Sequence, residues 1–276
     1  MKILISFIVF LSINTNLNES SSWMTDFEDA KKLAIASNRL ILVDFWATWC
    51  APCNKMESES WGKNQIKELM KSYVPLKINI DHNKTIARKY SISSLPSILI
   101  LDGTGKIIYQ TKGYMSKNQL IKLLEKYNLN TSYLSKELTN YSIKKNFVNT
   151  FRLGVKYQNY SLYLNKDIKS DFVKLSNQYL KKAKSLIKQD SELNQIKFIQ
   201  RLGLIEIQSD LILGKIKKGM KKLKKIKKTE IDKMNLSLYN FLCYLCAIES
   251  KNEKTKKELE KHLSKSDLKK VELFKS

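Results

Sequence analysis

Between residues 23 and 129 the hydrophobic positions change period several times. Phe27, Ala30, Leu33 and Ala34 recur at helical intervals, and Thr25 and Glu28 stand at capping-box spacing before them. Leu40 to Trp46 is almost continuously apolar, which predicts a central strand buried on both faces. Asp44 interrupts it, and a carboxylate there is costly unless it has a partner or a task. Val74, Leu76, Ile78 and Ile80 alternate with Pro75, Lys77 and Asn79, predicting a second strand, and Thr85 to Tyr90 suits a short helix. Ser97 to Leu101 and Lys106 to Gln110 flank Asp102-Gly103-Thr104-Gly105, a hairpin signal. Lys117 to Tyr127 closes the segment as an amphipathic helix. The order α β α β α β β α predicts an α/β sandwich.

Beyond about residue 130 only the helical period remains. Ile168, Phe172, Leu175, Tyr179, Ala183 and Leu186 form one stripe, and Phe198, Leu202, Ile205, Ser209 and Ile212 form another. Leu238 to Ile248 is apolar nearly all round, which marks an enclosed helix. Polar breaks near Asn165-Lys166, Gln189-Asp190 and Lys251-Asn252 imply helical hairpins, and such antiparallel pairs can stack as a small solenoid. The prolines agree: Pro52, Pro75 and Pro96 are the only three, so nothing after residue 96 interrupts a helix.

The amino terminus has another character. Met1-Lys2 is a short positive start, Ile3 to Ile13 is apolar apart from Ser6 and Ser12, and Asn14 to Ser22 is polar. This reads as a secretory signal, with Ser20 and Ser22 placed for cleavage before Trp23, or as an uncleaved anchor. The expected organisation is a signal peptide over 1–22, a mixed domain over 23–129 and an α-helical domain over 130–276. The expected location is the periplasm or cell envelope.

Composition changes the picture in few places. The 276 residues carry a formal charge of +24. It is concentrated in the helical part, at +18 over 130–276 against +6 over 23–129. Nearly all of it is Lys, with only Arg39, Arg88, Arg152 and Arg201, so the excess points weakly at nucleic acid. Lys215 to Lys228 holds nine Lys in 14 residues around a stripe of Ile216, Met220, Leu223 and Ile226. That predicts a packed helix with a solvated lysine face, or one drawn to an anionic envelope surface. No nucleic-acid partner is expected, because aromatics and Arg are not interleaved with the lysines. Four Cys exclude a disulfide-stapled scaffold, and two His exclude a His-rich metal site.

The chemistry is expected at Trp49-Cys50-Ala51-Pro52-Cys53. A buried strand ending just before Cys50 presents it at the surface, and the helix starting there aims backbone N–H groups and its positive dipole end at the sulfur. Both lower a thiol pKa below the ordinary value of about 8.5. Cys53 lies one turn on, close enough to attack a mixed disulfide, and Pro52 stiffens a turn that needs no N–H from it. The competing reading of two such cysteines is half a zinc site, but neither a second nearby pair nor a His at ligand spacing supports it. Cys243-Tyr244-Leu245-Cys246 has the same spacing inside a helix, where N–H groups are already bonded, and reads as core packing.

At this point the chain resembles the thioredoxin family, over about residues 23–129. Val43-Asp44-Phe45-Trp46-Ala47 leads into Trp-Cys-x-Pro-Cys, Lys77-Ile78-Asn79-Ile80-Asp81 matches the family's third strand, Leu95-Pro96 its cis-proline and Lys112-Gly113 its late glycine. Lys55-Met56-Glu57, in the stretch from Trp49 to Trp61, looks like the exported branch of the family. The resemblance implies a thioredoxin-like three-layer sandwich followed by the helical domain. It implies Cys50 as nucleophile, Cys53 as resolving thiol and partner in a redox disulfide, Asp44 as buried acid and Lys77 as its partner. Trp49 would shield the sulfurs, and Leu95, Pro96 and Gly113 would bind client peptide. No cofactor or metal is implied. The partners would be client proteins with cysteines or disulfides, and a membrane thiol–disulfide reductase as electron donor. Two departures matter: Ala51 replaces a common glycine, and Ser58 replaces a helix-kinking proline, which predicts a straighter second helix. The competing function is an adaptor whose helical domain engages an envelope partner.

Overall fold

The computed structural model describes residues 23–187 and 195–275. The signal-peptide expectation for 1–22 and the break at Gln189-Asp190 lie outside them. The first helix, α1 (Phe27–Ser37), is capped by Asp26, whose side chain accepts from the Asp29 N–H at 2.8 Å. The cap is therefore one residue later than the Thr25 spacing predicts, and a carboxylate at the helix start outcompetes the hydroxyl.

Four strands follow as the alternation predicts: β1 (Leu40–Trp46), β2 (Tyr73–Asn79), β3 (Ser97–Leu101) and β4 (Ile107–Lys112). They form one sheet in the order β2-β1-β3-β4, with β1 parallel to β2 and the other pairs antiparallel. The continuous apolar run of β1 is explained by its central position. Ile41, Val43 and Phe45 face α1 and α4 (Lys84–Lys89), packing with Phe27, Ala30 and Tyr90. Leu40 and Leu42 face the opposite layer, α2 (Ala51–Met56), α3 (Asn64–Met70) and α5 (Lys117–Lys126). This is a three-layer α/β sandwich.

The straight helix expected from Ser58 is absent. After α2 the chain runs through a π-turn, Glu57–Trp61, and only then enters α3. Ser58 Oγ donates to the Lys55 and Asn54 carbonyls at 3.1 and 3.4 Å, and the wide turn buries Ser60 and Trp61. A hydroxyl competing for main-chain acceptors bends a helix as a proline does, by a different route.

Among the described residues that follow, the main elements are all helices: α6 (Ser135–Ile143), α7 (Phe147–Ser161), α8 (Lys166–Ile187), α9 (Gln195–Ile212), α10 (Ile216–Leu223), α11 (Lys233–Glu249), α12 (Glu253–Glu260) and α13 (Lys265–Lys275). The α7–α8 pair is the most extensive packing, and Gly154 permits it, since a Cβ there would meet Leu180 at 2.9 Å. The stripe of α10 packs towards α9 and α11, and most of its lysines face solvent. Cys246 is buried and Cys243 half-buried in the core around α11, as their mid-helix position predicts.

The helical part does not hang from the sandwich as a separate body. One continuous core runs from Leu42, Ile98 and Ile100 through Tyr127, Leu134 and Tyr157 to Phe172 and Tyr179. Asp102, at the end of β3, is fully buried at this junction. Its Oδ1 accepts from the Thr104 and Lys106 N–H groups, each at 2.9 Å, and from the Thr104 hydroxyl at 2.8 Å. Its Oδ2 accepts from the hydroxyls of Tyr157 (3.0 Å, α7) and Tyr179 (2.5 Å, α8). Burial beside this carboxylate pushes both tyrosines well above their ordinary pKa. Asp102→Ala would leave five donors without their acceptor, and a loss of roughly 3 kcal/mol or more is expected in urea unfolding of the full chain. Tyr179→Phe, which removes a single donor, should lose about 1 kcal/mol. Equal, negligible losses in both variants would show that the junction is held by apolar packing alone.

Candidate functional site

The site is built where β1 ends. Ala47 is fully buried and Trp49 stands 67% exposed, so the chain turns outward between them. Cys50 then caps α2, and its Sγ accepts from the Cys53 N–H at 3.2 Å. Pro52 occupies the first turn, where no N–H is missed. Cys50 and Cys53 are joined in a disulfide. Cys50 is less open than a surface position predicts: it is 4% exposed, with Trp46, Ile80 and Leu95 packed around the sulfurs. A groove nevertheless reaches it, lined by Trp49, Cys50, Pro52, Ile80, Ile92 and Leu95, while Cys53 lies outside the lining. Both cysteines are nearly buried, Cys50 at 4% and Cys53 at 6% exposed, and what separates them is that Cys50 lines the groove and Cys53 does not. An attack from the groove meets Cys50.

Trp49 forms a wall of the groove more than a lid on the sulfurs. Its indole N–H donates to Asp81 Oδ2 at 3.0 Å, which holds the ring out towards solvent. On the opposite wall the Leu95–Pro96 peptide is cis, and the Pro96 carbonyl accepts from the Gly113 N–H at 2.8 Å. Gly113 has φ +89°, a conformation that side chains disfavour, so a glycine suits the position. Neither backbone group of Leu95 is hydrogen-bonded among the described residues. The adjoining loop is braced by Lys112 Nζ donating to Ser93 Oγ at 2.7 Å and Ser97 Oγ donating to the Ser94 carbonyl at 2.7 Å.

Asp44 lies beneath α2. In β1 it shares the face of Leu40 and Leu42, the face on which α2 packs. It is 2% exposed, and its Oδ1 makes no hydrogen bond. Burial, opposed by the Lys77 charge and reinforced by Glu57, pushes its pKa up to about 7. Lys77 is opposite Asp44 in the β1–β2 register, as the strand alternation predicts. The direct Asp44–Lys77 pairing expected from the resemblance is not formed, because the Lys77 ammonium pairs with Glu57 instead. It sits between the rings of Trp23 and Trp46, 5.6 and 5.0 Å from their centroids. Glu57 is partly exposed at the start of the π-turn, so this ion pair keeps one oxygen in water and costs less desolvation than pairing with the deeper Asp44.

All eight predicted site residues converge on this region: Asp44, Lys77, Trp49, Cys50, Cys53, Leu95, Pro96 and Gly113. Sequence reasoning passed over Glu57 and Asp81 as site residues. Glu57 is four residues after Cys53, and that spacing puts it one turn further along the same helical face, a signal that could have found it. Asp81 had no comparable signal, because its contact with Trp49 spans 32 residues.

Comparison with known proteins agrees with this geometry. Residues 27–128 match the family model for a thioredoxin-like domain. A thioredoxin of Chlorobaculum thiosulfatiphilum is 36% identical over 95 residues, 33% of this chain and 82% of its own length. A thioredoxin of Pyropia yezoensis is 38% identical over 109 residues, 39% of this chain and 97% of its own. The crystal structure of thioredoxin NaTrxh from Nicotiana alata aligns at 31% identity with a TM-score of 0.29, over 37% of this chain and 80% of that one. Because the chain matches most of the length of the Chlorobaculum and Pyropia thioredoxins at more than 30% identity and carries the Cys50–Cys53 pair at a helix start, the chain belongs to the thioredoxin family and is a thiol–disulfide oxidoreductase.

Proposed function

We propose that the protein is an exported reductase of client-protein disulfides, itself reduced by a membrane thiol–disulfide reductase. The observation that carries this reading is the unequal placement of the two cysteines: Cys50 caps α2 on the groove with an N–H at its sulfur, and Cys53 lies inside α2, outside the groove lining. The Cys50 thiolate attacks a client disulfide, forming one new S–S bond and releasing a client thiolate. Cys53 then attacks Cys50 Sγ, which frees the reduced client and leaves the Cys50–Cys53 disulfide. Asp44, with a pKa of about 7, is in part ionised at neutral pH, and that fraction takes the Cys53 proton in the second step. Glu57 holds Lys77 away from Asp44 and so keeps that acid's pKa in the working range. The unbonded Leu95 backbone beside cis-Pro96 offers an extended client segment a strand-like partner. Export rests on the pattern of residues 1–22, and the exposed lysines of α10 would favour an anionic envelope surface.

In the full chain, Cys53→Ser should accumulate client adducts that survive non-reducing electrophoresis, since serine cannot resolve them. Cys50→Ser should trap few or none. Equal trapping would reverse or abolish the assignment of nucleophile and resolving thiol. Direction is read from the reduction potential of the pair. A value near −270 mV supports net reduction, and one near −120 mV makes the protein an oxidant.

Asp44 also predicts a pH dependence of stability. Its folded pKa of about 7 lies above the ordinary 3.8, so on raising the pH the unfolded chain loses this proton first. The stability of the neutral buried acid is full below about pH 3.8, is lost as the pH rises to 7, and stays lost above. The loss is on the order of 4 kcal/mol. Asp44→Asn should therefore be the more stable protein in urea at pH 8, with the difference shrinking towards pH 4. Parallel curves for the two proteins would contradict a buried, uncompensated acid.

A further inference from the structure

The redox reading leaves the second Cys-x-x-Cys pair unused. Cys243 and Cys246 are three residues apart on α11 and share one helix face. That face borders an open pocket of about 220 Å³. Met220 of α10 borders the same pocket, so two thiols and a thioether line one small volume. No carboxylate or imidazole is among the lining residues. Both cysteines are free thiols. Plain core packing accounts for apolar burial of Cys246, but it does not account for three sulfur side chains sharing one pocket that solvent and a small ion can reach.

We propose that Met220, Cys243 and Cys246 form a three-sulfur binding site for a soft monovalent metal ion, Cu(I). Thiolate and thioether donors select Cu(I) over the hard cations, which require oxygen ligands. Zinc is disfavoured because a closed structural site needs four donors and this set stops at three. On binding, two S–H bonds break and two protons pass to water. Two Cu–S bonds form from the thiolates and a third from a thioether lone pair, and no electron changes hands. The bound unit carries one net negative charge. Lys224 on the pocket wall and Lys228, whose charge acts on Cys243, offset it. Tyr239 lines the same pocket, and its hydroxyl lowers the Cys243 pKa, so it can donate to the sulfur once it is a thiolate. Without metal, burial pushes both thiols up, Cys246 to about 12, so the pair stays protonated and unreactive towards disulfides. The site is thus separate in chemistry from the Cys50–Cys53 disulfide, and the proposal does not depend on the direction of the redox reaction.

The test uses the full chain carrying Cys50→Ser and Cys53→Ser, in which Cys243 and Cys246 are the remaining cysteines. Cu(I) is offered anaerobically from its bicinchoninate complex. Uptake of one Cu(I) per chain is expected, with three sulfur neighbours in Cu K-edge X-ray absorption. Adding Cys243→Ser and Cys246→Ser should abolish uptake. Met220→Leu conserves volume, so it should keep the helical circular dichroism while weakening binding about tenfold. This variant keeps the proposal falsifiable if the double serine variant fails to fold. Absence of uptake, affinity unchanged by Met220→Leu, or a two-sulfur spectrum would each overturn the three-sulfur site.

Discussion

The central strand is enclosed on both faces, and that enclosure governs most of what the site can do. β1 has sheet neighbours on both sides and helices above and below, so every group it carries into the interior loses water. For Ile41, Val43 and Phe45 this loss is the driving force of folding. For Asp44 it is a penalty, and the result is an acid that holds its proton to about pH 7. The same strand delivers the chain to Cys50. Acid and thiols are therefore placed by one element: the burial that costs stability at Asp44 also raises the pKa of the group beneath α2. The nearby lysine does not cancel the penalty, because Glu57 competes for it from a wetter position.

A second buried carboxylate is handled in the opposite way. Asp102 is as deep as Asp44, but five donors converge on it from its own turn, α7 and α8. A fully satisfied buried acid fixes geometry, whereas an under-satisfied one keeps a proton available. The first joins the helical part to the sandwich through the β3–β4 hairpin, and the second lies beneath the helix that carries the redox cysteines. Because the hairpin leads from β3 towards Gly113, the tyrosines of α7 and α8 grip the same strand pair that carries cis-Pro96.

The two Cys-x-x-Cys segments make a similar contrast. At the start of α2 an N–H is free to bond Cys50 Sγ and a groove leads to it. In the middle of α11 the N–H groups are spent on the helix, and burial keeps the thiols protonated. One spacing thus supports disulfide exchange in one place and not in the other. The difference comes from the backbone and solvent around the sulfur, not from the cysteines.

Local pattern determined a great deal here. Apolar periodicity located all four strands and the order of helices, because burial and repeat are coupled residue by residue. The position of Cys50 directly after a buried run already announced a thiol at a helix start, and the absence of proline after Pro96 announced the helical continuation. What only the tertiary structure decided were the choices between distant partners. Lys77 could pair with Asp44 or Glu57, and Asp81 could be free or bound to Trp49. Ser58 could leave a helix straight or open it into a π-turn. Asp102 reads as a turn residue, yet its second oxygen is claimed by hydroxyls 55 and 77 residues away. Each of these outcomes is a difference in desolvation between competing sites, and desolvation depends on what the rest of the chain brings close, which no local window of sequence contains.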